Sequence, residues 1–272
     1  MEQQLRGITN ITLYGYRQKV ESLLNEYMKP SEFDIKEFLS KKQEVGYYSG
    51  TIANYVKAFR SFFGYLLTKG LYDFDPGCLK LPKIHHKERR VPTDEDIRKL
   101  LSVLERVEDN IAFLLLIDCG IRVHELATIK IKNIDLSNAS ILIKGKGDKM
   151  RTVYISGITL NHLKEYIKTC RSEYLFPSTR ADATIPNRGN RYFQDRLSEL
   201  CEKAGIEHIT PHQLRHYFAT HTLSNGADVK AVSEMLGHAD VGITLKIYHH
   251  VNAKTIRDMH REFSPVLSLG LS

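Results

Sequence analysis

The sequence predicts a mainly α fold with one small antiparallel β-sheet, an α+β protein in two domains. Three observations predict it. Two stretches near the start repeat apolar residues at helical spacing, one stretch past the middle places strand-forming residues around a glycine-bracketed turn, and a basic, proline-containing segment separates the first helices from the rest.

In the first stretch, residues 13–28, Leu13, Tyr16, Val20, Leu23, Leu24 and Tyr27 recur every three or four positions. In the second, residues 51–70, Ile52, Tyr55, Val56, Phe59, Phe62, Phe63 and Leu66 do the same, and Gly70 supplies the stop. Both helices carry cations, Arg17 and Lys19 on one and Lys57, Arg60 and Lys69 on the other. Taken alone, these read as solvated faces. The segment "DPGCLKLPKIHHKERRVPTDED" follows, with Pro76, Pro82 and Pro92 preventing a continuous helix. It carries Lys80, Lys83, Lys87, Arg89 and Arg90. The expected organisation is a helical domain over 1–80, a linker over 81–92 and a second domain over 93–272.

The second domain opens on Thr93 and Asp96, spaced as a capping box for a helix over 94–107. A buried helix over 111–120 and a further helix over 123–135 should follow. "SILIKGKGDKMRTVYIS" reads as a hairpin, with Ile141, Ile143, Val153 and Ile155 in the strands and Gly145 and Gly147 about the turn. Beyond Asn161 the pattern is helical, broken by Pro, Gly and Asn.

Composition narrows the function. A length of 272 residues with 42% hydrophobic content supports ordinary cores, and a net charge of +7 favours a polyanionic partner. The four cysteines (Cys78, Cys119, Cys170, Cys201) lack metal or disulfide spacing, so a reducing compartment is expected. The longest apolar run, Ile111 to Ile117, is too short to span a bilayer, and no signal peptide is evident. A soluble, cytoplasmic protein is expected, with no membrane partner and no cofactor.

Chemistry-bearing residues gather in four places. In "TPHQLRHYFATHTL", a helix opened by Thr210 and Pro211 would put His212, Arg215 and His216 on one face and Leu214, Tyr217, Phe218 and Leu223 on the other. Without a carboxylate or cysteine at ligand spacing, this face suits an anionic oxygen better than a metal. Arg122 follows Gly120 at a turn into a helix, where its plain reading is a salt bridge with Glu125. Lys146 sits between the hairpin glycines. Asp228 should cap a helix ending at Leu236 and Gly237, followed by His238 and, on a further short helix, Tyr248. Each residue has an ordinary structural reading. Together they match metal-free phosphoryl transfer, with guanidiniums on the non-bridging oxygens, a cation protonating the leaving oxygen and a tyrosine nucleophile.

In order, "GIRVHEL", "KGKGDKMRTVYI", "TPHQLRHYFATHTLSNGADVKAVSEMLGHAD" and "IYHHV" resemble the arginine box, lysine hairpin, H-x-x-R and L-G-H elements and tyrosine box of the tyrosine recombinase family. The resemblance covers nearly the whole chain. It implies a core-binding domain and a catalytic domain forming a C-shaped clamp on duplex DNA. By position it implies that Arg122 and Arg215 hold the scissile phosphate and that Lys146 is the general acid, with Lys149 the lesser candidate. His212 would help deprotonate the tyrosine, His238 would bond a phosphate oxygen, and Tyr248 would attack to leave a 3′-phosphotyrosyl bond. Glu125 and His216 would support this set. Lys57, Arg60, Lys87, Arg89, Arg90, Lys149 and Arg151 are the expected DNA contacts. The implied partners are double-stranded DNA with a specific site and further copies of the chain, as a tetramer, or a paralogous recombinase.

Two features separate the chain from the Xer resolvases. Tyr248 lies one residue farther from His238, and "ITLKIY" is closer to phage and transposon integrases. An extra N-terminal arm-binding domain is not expected. The C-terminal Ile256, Met259, Phe263, Val266 and Leu267 suit docking onto a neighbouring subunit or the chain's own domain. Competing functions are DNA relaxation of the type IB topoisomerase kind and a silent or accessory DNA-binding protein of the same fold.

Overall fold

The computed structural model describes residues 10–83, 90–145, 149–179, 187–238, 240, 242 and 244. The chain divides into two compact units, residues 1–88 and 89–272.

Among the described residues, the first unit contains three helices, α1 (Asn10–Leu24), α2 (Glu32–Glu44) and α3 (Ser49–Thr68), followed by one 3₁₀ turn at Pro76–Cys78. α1 and α3 lie on the two periodic stretches. Gly70 follows α3 with φ of 65°, a left-handed conformation that lets the chain leave the helix. α2 was not anticipated. Its start is fixed by Ser31, whose side chain accepts from the Asp34 backbone while Asp34 bonds back to the Ser31 N–H, and its Ile35 and Phe38 are buried. Those two join Val20, Leu23, Val56, Phe59, Phe63 and Leu79 in one core. Phe38 and Phe59 meet edge to face with centroids 6.0 Å apart.

In the second unit, α4 (Asp94–Ser102) begins at the expected capping box, with Thr93 accepting from Asp96 N and Asp96 bonding back. The expected helix over 94–107 stops at Ser102, and α5 (Val107–Cys119) begins where it was to end. The expected helix over 123–135 is also corrected. Only α6 (Val123–Ala127) is α-helical, followed by a 3₁₀ turn at Ile131–Asn133 and strand β1 (Ile134–Asp135). The alternating, β-branched "TIKIKNID" satisfies its backbone elsewhere, since Leu175 N donates to Ile129 O and Ile131 N to Glu173 O, each at 2.9 Å.

The expected hairpin is β2 (Ser140–Lys144) and β3 (Met150–Tyr154), and β1 adds to give an antiparallel sheet in the order β1-β2-β3. The register pairs Ile141 with Val153 and Ile143 with Arg151. Then come α7 (Gly157–Thr169), α8 (Asn190–Lys203), α9 (Pro211–Ser224) and α10 (Val229–Leu236). The largest core gathers α5, the inward face of the hairpin, and Leu163, Phe176, Phe193 and Leu214. A smaller cluster of Phe218, Leu223, Val232 and Leu236 packs α9 against α10. Asp109, on the buried face of α5, is neutralised by Arg196 of α8, whose Nη2 lies 2.8 Å away. All four cysteines are free thiols, Cys119 and Cys201 being buried. Among the described residues, no helix is long and apolar enough to cross a membrane.

Candidate active site

The site is built around two helix ends. α5 terminates at Gly120, which adopts φ 58° and ψ 24°. A β-carbon there would fall 2.4 Å from Phe218 Cδ1 and 2.9 Å from Leu236 Cδ2, so the glycine supplies both the left-handed turn and the space α9 and α10 occupy. α10 ends at Gly237 in the same conformation, φ 64°. Asp228 caps its start by accepting from Ala231 N at 2.8 Å. The last carbonyls of α10, which have no partner within the helix, face three arginines.

Arg215 of α9 is the most deeply placed, 5% exposed despite its charge. It sits on the helix opened by Thr210, Pro211 and the Gln213 capping box. Its Nη1 donates to Gly120 O at 2.8 Å and its Nη2 to Leu236 O at 2.7 Å, so it ties the two helix ends together. Burial first, then repulsion from Arg122 and Arg151, pushes its pKa down to about 9, against the pull of Glu125. It remains a cation at neutral pH.

Arg122 caps the start of α6 and reaches the same helix end, donating from Nη1 to Leu236 O at 3.5 Å and from Nη2 to Gly237 O at 3.4 Å. Its Nη1 also meets Glu125 Oε1 at 3.1 Å, while its backbone N–H donates to Glu125 Oε2 at 2.8 Å. The salt bridge expected as the plain reading of Arg122 therefore exists. It coexists with a guanidinium still one-third exposed.

Arg151, expected as a DNA contact, is largely buried and bonded within the chain. Its side chain is 13% exposed. Nη1 and Nη2 form a fork on the two oxygens of Glu125, each at 2.8 Å, and Nε donates to Met235 O at 3.0 Å. The β register turns position 151 inward with Ile141, Ile143 and Val153, and among the described residues Glu125 is the one carboxylate paired with these guanidiniums. Burial would raise the pKa of Glu125, but the Arg151 fork, the Arg122 N–H and the two nearby guanidiniums outweigh it and hold the pKa to about 2. Three arginines thus cap one helix C-terminus, where its dipole favours cations, and one carboxylate fixes two of them in orientation.

Histidines line the exposed side. His212 is exposed on α9, and its ring meets that of His216 at 4.8 Å and 88°. His238, directly after Gly237, is half-buried, and its Nδ1 lies 2.8 Å from Oγ1 of the fully buried Thr244. Burial, then Arg215, Arg122, His216 and His212, lowers its pKa to about 4, so it is neutral at pH 7. His124, half-buried on α6, is shifted down by burial first and then by Arg122, Arg151 and Arg215, against the pull of Glu125. Among the described residues, no cluster of histidine, cysteine and carboxylate is arranged to hold a metal ion.

The structure thus brings together Arg122, Glu125, Arg215, His212, His216 and His238. Lys146, Tyr248, Lys87, Arg89 and the C-terminal apolar positions from Ile256 to Leu267 lie outside the described residues. The remaining expected DNA contacts divide. Lys57 and Lys149 are exposed. Arg60 is drawn onto the chain itself, donating from Nε to Leu79 O at 2.9 Å and from Nη2 to Gly77 O at 3.4 Å. Arg90 is paired with Asp96 at 2.6 Å and with Glu207. Sequence reading passed over Thr244, His124 and the true place of Arg151. Only Arg151 carried a visible signal, an arginine at an inward position of a period-two strand.

The phage integrase family model matches residues 90–255, which contain this whole arrangement. The chain belongs to the phage integrase family. Tyrosine recombinase XerD of Oceanobacillus iheyensis is 32% identical over 96% of this chain and 94% of its own. Tyrosine recombinase XerA of Pyrococcus horikoshii is 32% identical over 94% and 88%. Among solved structures, a XerA recombinase superposes with a TM-score of 0.57 at 27% identity, covering 97% of this chain and 95% of that one. The Tn1549 transposon integrase, solved with transposon right end DNA, gives 0.77 at 18% identity over 97% and 98%, a likeness of fold. This protein is therefore a tyrosine recombinase, and the arginine cluster lies inside the segment that the family model matches.

Proposed function

We propose that this tyrosine recombinase cuts and rejoins DNA at a specific site through a covalent bond to Tyr248, without metal or nucleotide. The observation that carries the reading is the convergence of Arg122 and Arg215 on the carbonyl of Leu236, beside the neutral His238. The helix-end carbonyls aim both guanidiniums, and a phosphodiester held between them would have its two non-bridging oxygens neutralised as charge grows on them.

In the first step, the Tyr248 phenol oxygen bonds to phosphorus and the bond from phosphorus to the 5′-oxygen breaks. The phenol proton passes to His212, and Lys146, with Lys149 the lesser candidate, gives a proton to the departing 5′-oxygen. The 3′-phosphotyrosyl bond keeps the phosphodiester energy, so the reverse attack by a 5′-hydroxyl rejoins a strand with no energy source. A phenol of pKa about 10 is a poor nucleophile at neutral pH, and a site with several guanidiniums favours its phenolate. Double-stranded DNA would be held by both units, with Lys57, Lys149 and the linker cations Lys87 and Arg89 on its phosphates. Strand exchange between two duplexes would need a tetramer of this chain or of this chain with a paralogue, working in the cytoplasm.

The test is a nicked suicide duplex bearing the recombination site, incubated without metal and run on a denaturing gel. Wild type should leave a covalent protein–DNA adduct and Tyr248→Phe none. An adduct of equal yield in both would remove Tyr248 from the role.

A further inference from the structure

We propose that Thr244 is a positioning residue that fixes the tautomer of His238: its hydroxyl donates to Nδ1, so the ring proton sits on Nε2 and the imidazole works as a neutral hydrogen-bond donor. The argument starts from burial. Thr244 is 0% exposed, and a buried hydroxyl whose proton finds no acceptor costs the desolvation of that group. Among the described residues, the one hydrogen bond its side chain makes is the 2.8 Å contact with His238 Nδ1. If Nδ1 carried the ring proton and donated to Thr244, the hydroxyl proton would be left without a partner among the described residues. If the hydroxyl donates, both groups are satisfied at once. One contact then decides where the ring proton is.

The surroundings keep the ring in this form. Burial first, then Arg215, Arg122, His216 and His212, disfavour a second proton on His238, so the imidazole stays neutral across the physiological range. A neutral ring with Nδ1 occupied has one N–H left, on Nε2. That group matches a phosphate oxygen, which accepts hydrogen bonds and donates none. With the opposite tautomer, Nε2 would present a lone pair and repel the same oxygen. His238 would then bind the phosphate through the whole reaction and leave proton transfer to other groups. This consequence rests on the proposed phosphate site, whereas the tautomer itself does not.

The test reads the two separately. Ring nitrogen shifts of the full chain carrying ¹⁵N-histidine distinguish the tautomers, and subtraction of a His238→Gln spectrum assigns the signal among the 12 histidines. Wild type and Thr244→Ser should show the proton on Nε2. Thr244→Val, nearly equal in shape but without the hydroxyl, should shift His238 towards a mixture of tautomers. It should also lower adduct formation on the nicked duplex by about tenfold, the effect of losing roughly 1.4 kcal/mol of preorganisation. Rescue by serine separates this role from packing, since serine restores the donor and not the methyl group. A wild-type ring protonated on Nδ1, or a Thr244→Val spectrum identical to wild type, would overturn the proposal. Because the spectra are recorded without DNA, a wild type that forms no adduct would defeat the phosphotyrosyl reading and leave the tautomer assignment decided.

Discussion

Replacing Arg151 with methionine isolates the support beneath the active site. The substitution keeps an unbranched side chain but removes both bonds to Glu125 and the bond to Met235 O. Glu125 is 1% exposed and, among the described residues, would keep only its Arg122 contacts. Two routes give the magnitude. Breaking a buried ion pair from one side costs about 3–5 kcal/mol. The fall of the Glu125 pKa from 4.5 to about 2 corresponds to about 3 kcal/mol of stabilisation of its charged form, much of it from Arg151. A loss of about 3 kcal/mol should lower the melting temperature by roughly 6–12 °C for a unit of this size. The pH dependence follows from the sign of the shift. Because the folded pKa of Glu125 is depressed, its contribution is fully present above about pH 4.5 and is lost as pH falls towards 2. The deficit of Arg151→Met should therefore be largest at neutral pH and shrink on acidification. Adding Glu125→Gln removes the stranded charge, and the double variant should recover stability relative to Arg151→Met while Arg122 stays poorly oriented. Thermal melts of wild type, Arg151→Met, Glu125→Gln and the double variant between pH 3 and pH 7 decide it. If Arg151→Met melts within about 2 °C of wild type at pH 7, the reading of Arg151 as a support is wrong.

Other substitutions probe other parts. Gly120→Ala should cost about 2–4 kcal/mol in urea unfolding, because alanine is strained at φ 58° and its methyl group would meet Phe218 and Leu236. Thr210→Ala removes the side-chain acceptor for Gln213 N at the start of α9 and should cost about 1 kcal/mol in the same assay. Lys57→Ala should leave the melt unchanged and reduce the salt dependence of DNA affinity by about one unit of log–log slope, whereas Arg60→Ala should lower the stability of the first unit, since Arg60 holds the Leu79 carbonyl. Inorganic phosphate at ten times its Kd should raise stability by about 1.4 kcal/mol over chloride of equal ionic strength, and no rise in melting temperature would argue against an anion site at the arginines.

The parts of the fold legible in the sequence were those decided by local chemistry. The Thr93, Thr210 and Asp228 caps, the stops at Gly70, Gly120 and Gly237, and the period-two hairpin all lie where short-range rules place them. What was misread depended on distant partners. "TIKIKNID" resembles a continuation of α6 until residues 173–175 are brought alongside to take its backbone bonds. The helix over Glu32–Glu44 escaped because its apolar positions are few and its core partners lie on α1 and α3. At the site, Arg122, Arg215, His212 and His238 could be picked out as types suited to a phosphate, but their order in the chain does not reveal who touches whom. Arg151 and Lys149 are both cations on one hairpin arm, yet Arg151, inside β3, turns to Glu125, whereas Lys149, one residue before the strand begins, is exposed. Thr244 gave no sign at all, since a threonine becomes informative only when its hydroxyl is buried against a named nitrogen.

The charge count at the site explains why such supports are needed. Arg122, Arg151 and Arg215 share one low-dielectric space with, among the described residues, a single carboxylate, and the downward shift of Arg215 registers its burial first and then their mutual repulsion. Hydrogen bonds to the carbonyls of Met235, Leu236 and Gly237 hold the guanidiniums close by offering dipoles in place of counterions. Such carbonyls orient a cation without neutralising it. An arginine satisfied wholly by carboxylates would be stable and inert, and one left to water would be mobile. Held by dipoles, the cations keep a net positive field and a fixed direction, the condition in which an incoming phosphate relieves repulsion already present in the folded protein. Glu125 then has a limited task. It neutralises Arg151 and steadies Arg122, while Arg215, the most buried of the three guanidiniums, is held by the carbonyls of Gly120 and Leu236 and, among the described residues, by no carboxylate.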